Sequence, residues 1–377
     1  MISSKKALVL SGGGARGAYH IGVIETLVQH GWMVDGTGPD IIAGTSIGAI
    51  NAAALASGLT VAQLKQHWLE MHTEDVHRLS RDLPSVTRPL LRFLMRNVLT
   101  SEAHNGASDI PDVTEGMSAQ SVFSRLSSLF RTRPFRSLLD TTPWRYTLEK
   151  WMDFERINSE SAPALLLAAT DLQSGALRMF CNRDRKDNVS DTITIDHLMA
   201  SSSIPIVYPW TTIDQHKYWD GAVLANTPLG PVVDVAGESD VDIIVVMMTP
   251  WNEDPAALRA QLQHLPEDLV QGLSLTLDWS LLASYRAALK TLRSYNRLAQ
   301  AAQELDRAAE MTGDESFRMH NVPRHIAEPT VISPESMMPL EWLIDYEEET
   351  HQHLFELGRA DAERALAQRH KTNATSS

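Results

Sequence analysis

Three short runs of this sequence carry residue types suited to nucleophilic acyl transfer. Ser46 stands in Gly44-Thr45-Ser46-Ile47-Gly48, a G-x-S-x-G pattern between an apolar run and a small-residue helical run. Between a strand and a helix, small flanking residues permit a sharp turn that lifts the serine hydroxyl above the sheet. The positive end of the following helix then eases alkoxide development. A G-x-S-x-G that falls by chance inside a small-residue helix carries no such chemistry, so the setting matters more than the pattern. Upstream, Gly12-Gly13-Gly14-Ala15-Arg16-Gly17 also lies between a strand-like run and a helical one. Glycines let backbone come close to a bound group, and the free N–H groups of a helix start favour an anion. Two chemistries use such a loop. One is pyrophosphate binding, since Gly12, Gly14 and Gly17 also satisfy G-x-G-x-x-G, with Asp35 near the acidic position. The other is an oxyanion hole. The loop alone does not choose between them; the serine elbow that follows it favours the second.

A serine nucleophile needs a base. The chain has 14 histidines, and a hydrolase of the usual order would place Asp or Glu and then His after the serine. The late histidines His320, His325, His351 and His353 sit among charged or loop residues, and none adjoins a strand end. His351 and His353 are expected to be solvated on a polar last helix. Asp220, in Tyr218-Trp219-Asp220-Gly221-Ala222, is the better candidate. A carboxylate at the end of a short aromatic strand is desolvated, which raises its proton affinity and suits it to accept a proton. The plain alternative is an Asp-Gly turn. Asp171, in Ala169-Thr170-Asp171-Leu172, is a competing carboxylate that reads more simply as a cap on a strand-to-turn junction. His20 reads as a helix residue facing a neighbour, and Arg16 either as a surface charge or as a residue that shapes the glycine loop. Cys181, the one cysteine, lacks a flanking glycine elbow and reads as apolar packing.

The elements that must position these residues follow from periodicity. Lys6–Leu10 is a short strand, Ala18 to about Gln29 a helix with Ile21, Ile24, Leu27 and Val28 at helical spacing, Ile41–Ala43 a strand, and Ile47 to about Ser57 a helix. Alternation of this kind predicts a parallel sheet covered by helices. Residues 61 to about 160 read as a helical insertion, with a polar, breaker-rich loop at Ser101–Ser118. Strands return at Leu165–Ala169, Ala176–Cys181, Lys217–Trp219 and Val241–Met248; a helical stretch from Pro255 to about Thr312, broken near Pro266, follows. An extended piece at Pro329–Ile332 precedes a last helix from Tyr346 to about Arg369, and the polar tail 370–377 is expected to fray. The predicted fold class is α/β, a three-layer α/β/α arrangement with a mostly parallel central sheet, a helical insertion and C-terminal helices. The domain reading is a catalytic α/β part over 1–250 with the insertion inside it, and a helical part over 251–369 packed on the same domain.

Composition narrows the partners. A net charge of −14 argues against nucleic acid, which needs a basic surface. One cysteine forms no intramolecular disulfide and fits a reducing compartment. The N-terminal apolar run is too short for a secretory h-region. The uncharged stretch Ile41–Leu59 has the length of a membrane span, but its glycines, serines and Asn51 favour a buried strand and helix. A cytoplasmic protein is expected, with a peripheral membrane contact left open. That contact would lie at about 88–99, where Arg88, Arg92 and Arg96 recur every four residues among Leu90, Leu91, Phe93, Leu94 and Met95. A lid over the acyl groove and an ordinary core helix are alternative readings of this segment. Between Arg81 and Arg136 eight basic and five acidic residues give a net of +3 in an acidic chain.

The ordered set G-G-G-x-R-G, G-T-S-x-G and D-G-A, each intact here, resembles the patatin-like phospholipases. Residues 6 to about 250 share the likeness, supported by Ala200-Ser201-Ser202-Ser203-Ile204-Pro205 and Asn226-Thr227-Pro228. The resemblance implies a Ser46–Asp220 dyad without histidine, an elbow flanked by Gly44 and Gly48, and an oxyanion hole from Gly12, Gly13 and Gly14 helped by Arg16. It implies no metal and no cofactor. The expected reaction is hydrolysis of a fatty-acyl ester of a phospholipid, lysophospholipid or acylglycerol. A transacylase or thioesterase would use the same dyad. A nucleotide-binding module on the glycine loop and a catalytically idle lipid binder are the readings from other classes.

Overall fold

Residues 5–56 build the frame that presents the serine. The structure, a computed structural model, describes residues 4–81, 136–185, 189–254, 256–257, 269–312 and 324–376. Strand β1 (Lys5–Leu10) leads through the glycine loop to helix α1 (Ala18–Gln29), and β2 (Ile41–Thr45) leads directly into α2 (Ile47–Ala56). The described parts of the insertion carry α3 (Val61–Glu70), α4 (Thr73–Val76), the short pair β3 (Arg78–Leu79) and β4 (Leu139–Asp140), α5 (Thr142–Trp151) and α6 (Phe154–Ile157). After them come β5 (Ala164–Asp171), β6 (Leu177–Cys181), α7 (Ile195–Ser201), β7 (Thr211–Ile213) and β8 (His216–Asp220). The remainder is α8 (Leu229–Ala236), β9 (Val241–Val246), α9 (Leu269–Thr312), β10 (Thr330–Ile332) and α10 (Glu348–Ser376). The arginine-rich segment 88–99 lies outside the described residues, as does the loop Ser101–Ser118.

The sheet runs β10-β9-β1-β2-β5-β8-β7, with β6 also on β5. The five strands from β10 to β5 are parallel, whereas β6, β7 and β8 pair antiparallel. Both faces are buried, so the parallel strands read as continuous apolar runs, and alternate residues serve different layers. Leu8, Leu10, Ile42, Leu165, Leu167, Ile244 and Val246 face a core built with α1, α2, α3 and α10. Ala7, Val9, Ile41, Ala43, Leu166, Ile243 and Val245 face a second core built with α8 and α9. The three-layer α/β/α architecture expected from the strand–helix alternation is present.

Local signals explain the boundaries. Thr60 and Gln63 form a capping box that starts α3, and Pro143 in the first turn starts α5. Two features differ from the sequence reading. The last helix continues to Ser376 rather than ending near Arg369; residues 370–376 contain neither Pro nor Gly, and His370 and Lys371 suit the negative end of a helix. His351 is fully buried, not solvated, because α10 turns this face into the core.

Helix α10 packs on α1 at very short range. A methyl placed on Gly22 would lie 1.9 Å from the Phe355 carbonyl oxygen, and one on Gly358 would lie 2.2 Å from that of Tyr19. Beside this crossing the Tyr19 hydroxyl donates to Asp361 Oδ2 at 2.9 Å. Gly22→Ala is therefore expected to force the helices apart and destabilise the protein by about 1–3 kcal/mol. Urea unfolding checks this, and an unchanged midpoint would contradict the crossing.

Candidate active site

Ser46 occupies the turn between β2 and α2 with φ 56° and ψ −128°. A left-handed φ is costly for a residue with a side chain and is held only where surrounding packing enforces it. That packing comes from its two glycine neighbours. A methyl on Gly48 would lie 2.3 Å from the Leu10 carbonyl oxygen, and one on Gly44 would lie 2.4 Å from the Gly48 carbonyl. No residue larger than glycine lets α2 start so close to β1 and β2. The Ser46 N–H donates to Ser201 Oγ at 3.1 Å, which ties the elbow to α7.

Asp220 reaches the same place by strand register. Thr45, the last residue of β2, pairs with Ala168 of β5, and Asp220 pairs with Ala169, the next residue along. Because Ala169 and Thr170 also pair with β6, β8 must lie on the edge of β5 that β2 has just vacated. The Asp220 N–H donates to the Ser203 carbonyl at 2.8 Å, and Thr170 Oγ1 donates to the Asp220 carbonyl at 3.0 Å. Its side chain accepts from the Ala222 N–H at 2.8 Å. Asp220 is 3% exposed and Ser46 5%. Burial pushes the Asp220 carboxyl up to about 7, against the opposing pull of the nearby Ser46 hydroxyl and the Ala222 N–H.

The glycine loop lies beside this pair. A methyl on Gly12 would lie 3.0 Å from Ser46 Cβ. The three glycines are not equivalent as donors. Gly12 N–H donates to Asn226 Oδ1 at 2.8 Å, whereas among the described residues the Gly13 and Gly14 N–H groups meet no protein acceptor. The amides available for an anion are thus those of Gly13 and Gly14; Gly12, expected to be one of them, has its N–H engaged. The Arg16 guanidinium is buried on Asp278 Oδ1 at 3.0 Å and the Met338 carbonyl at 3.0 Å.

The competing residues have other settings. Asp171 accepts the Gln173 and Ser174 N–H groups at 2.8 Å each. The Ser174 bond, first among its contacts, holds its carboxyl below the ordinary value in an exposed turn. Cys181 is buried and its thiol pushed up by burial, which suits packing rather than nucleophilic use. His20 Nδ1 meets Asn51 Nδ2 at 3.2 Å inside the core. Among the described residues no group of three or more His, Cys, Asp or Glu could hold a metal ion, and no helix is long and apolar enough to cross a membrane.

Several residues near the site were not singled out from sequence. Tyr208 shares a hydrogen bond with His77 Nδ1 at 3.0 Å, and burial first, with Tyr346 and then the Asp220 charge adding to it, pushes its phenol well up. Asp278 had a readable signal. It is the one acidic residue in Leu275-Thr-Leu-Asp278-Trp-Ser-Leu-Leu282, and a charge inside an apolar helical run calls for a buried partner.

A family model described as patatin-like phospholipase matches residues 8–233 of this chain. The chain belongs to the patatin-like phospholipase family. Patatin-like phospholipase domain-containing protein 6 of Homo sapiens is 35% identical over 101 residues, 26% of this chain and 6% of that protein. Triacylglycerol lipase SDP1L of Arabidopsis thaliana is 43% identical over 53 residues, 14% of this chain and 6% of that protein. The chain therefore matches only a small part of the length of these curated relatives. Among solved structures it is similar to VipD from Legionella pneumophila, with a TM-score of 0.40 and 14% identity over 97% of this chain and 67% of that one.

Three buried histidines give the site's surroundings a pH dependence. Burial pulls His20 down to about 3, and His77 and His351 down to about 4. Their folded values lie below the unfolded value of about 6.5, so the unfolded chain binds more protons as pH falls. Their contribution is complete above about pH 6.5 and is lost from there downward, at up to about 1.4 kcal/mol per pH unit for each. Asp220, raised to about 7, has the opposite sign: its contribution is complete below about pH 3.8 and is lost as pH rises through 7. His67 and His197 are lowered in the same sense and Asp278 and Asp361 raised in the other, so the lowered histidines outnumber the raised carboxyls. The unfolding free energy in urea is expected to fall between pH 6.5 and 5, and a flat or rising profile there would contradict the buried neutral imidazoles.

Proposed function

We propose that the protein is a lipid acyl hydrolase in which Ser46 attacks a carboxylic ester and Asp220 accepts its proton. The carrying observation is a buried carboxyl, raised to about 7, with the Ser46 hydroxyl close enough to act on it. A carboxylate of ordinary acidity accepts a proton poorly, whereas one near neutrality can both take a proton from serine and return it to the leaving alcohol. The strained elbow and the start of α2 aim the hydroxyl outward and favour its anion. The tetrahedral oxyanion is held by the Gly13 and Gly14 amides, with Gly12 and Arg16 fixing the loop on which they stand. Water then attacks the acyl-enzyme, with Asp220 as base again, and Ser46 is regenerated. The substrate is a fatty-acyl ester of a lipid, as membership of a phospholipase family suggests. A transacylase would differ only in the last acceptor, and a thioesterase only in the leaving group, a thiol in place of an alcohol.

A nucleotide-binding reading of the glycine loop fits less well. Gly12 N–H is already engaged, and the Arg16 guanidinium is buried and paired with Asp278.

A fluorophosphonate probe is expected to label Ser46, and Ser46→Ala to abolish labelling and turnover of p-nitrophenyl esters. Labelling that persists in that variant would move the nucleophile elsewhere. Asp220→Asn, nearly isosteric, is expected to lower kcat by about 10²–10⁴-fold with the fold intact; near-normal turnover would assign the base to another group. Because Asp220 must be ionised to act, kcat/KM is expected to rise with pH up to about 7 and then level off. A profile already level at pH 5 would contradict the raised carboxyl.

A further inference from the structure

Two side chains of α9 hold the two ends of the glycine loop, and both lie beyond the family-matched residues 8–233. At one end, Arg16 Nη1 meets Asp278 Oδ1 at 3.0 Å, with side-chain exposures of only 1% and 4%. Its Nη2 donates to the Met338 and Pro339 carbonyls at 3.0 and 3.2 Å. At the other end, Gly12 N–H donates to Asn226 Oδ1 at 2.8 Å, and the Asn226 N–H donates to Ser284 Oγ at 3.1 Å. Between these anchors stand Gly13 and Gly14 with unpartnered amides. The middle of the loop is backed as well, because the Leu343 carbonyl oxygen would lie 2.2 Å from a methyl on Gly14.

The helix is seated to do this. Leu282, Tyr285, Leu289 and Leu292 are buried against the sheet, and Asp278 extends the same stripe by one turn, at the i−4 position from Leu282. Asp278 and Ser284 are six positions apart on α9, about 9 Å along a helix, a span that suits the two ends of a five-residue loop. A buried charge pair is a costly way to seat a helix compared with apolar packing, so its use here points to positional specification.

We infer that Asp278 and Ser284 are positioning residues for acyl transfer, acting through Arg16 and Asn226 to keep the Gly13 and Gly14 amides aimed at the oxyanion above Ser46. The inference rests on the acyl-hydrolase reading and assigns α9, outside the matched family segment, to the same site.

The test compares wild type with Asp278→Asn, Asp278→Glu and Ser284→Ala. The readouts are p-nitrophenyl ester turnover and inhibition by an alkyl trifluoromethyl ketone, whose serine adduct carries an oxyanion. Asp278→Asn is expected to lower kcat about tenfold or more with KM within about twofold. The inhibition constant should rise by the same factor as kcat/KM falls, and the pH midpoint should stay at the wild-type value because Asp220 is untouched. Asp278→Glu should recover part of the loss, and Ser284→Ala should show a smaller loss of the same pattern. Wild-type kcat in folded Asp278→Asn and Ser284→Ala would overturn the inference, as would losses without a change in the inhibition constant. If Asp278→Asn does not fold, Ser284→Ala and Asp278→Glu decide on the same criteria. A wild-type protein that neither turns over esters nor labels at Ser46 would instead overturn the hydrolase reading, and the inference with it.

Discussion

The contact between Ser46 and Asp220 depends on one edge of β5 changing neighbours between two consecutive residues. Up to Ala168 that edge pairs with β2; from Ala169 it pairs with β8, running the other way. The end of β2 and the end of β8 therefore meet head to head, which brings Ser46, next after β2, beside Asp220, the last residue of β8. Gly221 is part of the same constraint, since a methyl there would lie 2.5 Å from the Ala168 carbonyl oxygen. Because the meeting point lies within the sheet and not at its rim, it is dry, and dryness gives the aspartate its high proton affinity. Geometry and basicity have one cause.

The core also holds a run of linked polar and aromatic side chains. His20, Asn51, Trp68, His351, Tyr346, His77 and Tyr208 are joined in turn by hydrogen bonds or ring contacts. Each member satisfies part of the next, which fixes side-chain orientations more tightly than apolar packing does. The linkage is incomplete, for the Nε2 atoms of His20, His77 and His351 have no partner in the interior. Neutral imidazoles tolerate that; charged ones do not, which is why all three hold their protons weakly.

Much of this was legible in the sequence, for identifiable reasons. The β1–α1–β2–α2 unit showed because its strands are short apolar runs and its turns are glycine-rich, and Ser46 showed because an elbow requires glycine on both sides. Asp220 was flagged by its aromatic strand, which announces desolvation, while the choice of it as base over a plain Asp-Gly turn came from the family resemblance. What escaped was whatever depends on pairing between distant segments. Gly12 resembled a free donor until Asn226, more than two hundred positions away, was placed on it. His351 looked solvated because its helix is polar in composition, yet α10 turns that residue onto the Trp68 carbonyl at 2.7 Å. The antiparallel β7 and β3–β4 pairs were too short to leave a periodic signal.

The close crossing of α1 and α10 has a consequence for the order of events in folding. Helix α1 is completed by a helix far downstream, and the loop between β1 and α1 is braced by residues that follow most of the sheet in the chain. Loop closure over such separations is slow compared with local helix formation. A folding chain can form its elbow early while the amides beside it stay unanchored until α9 docks.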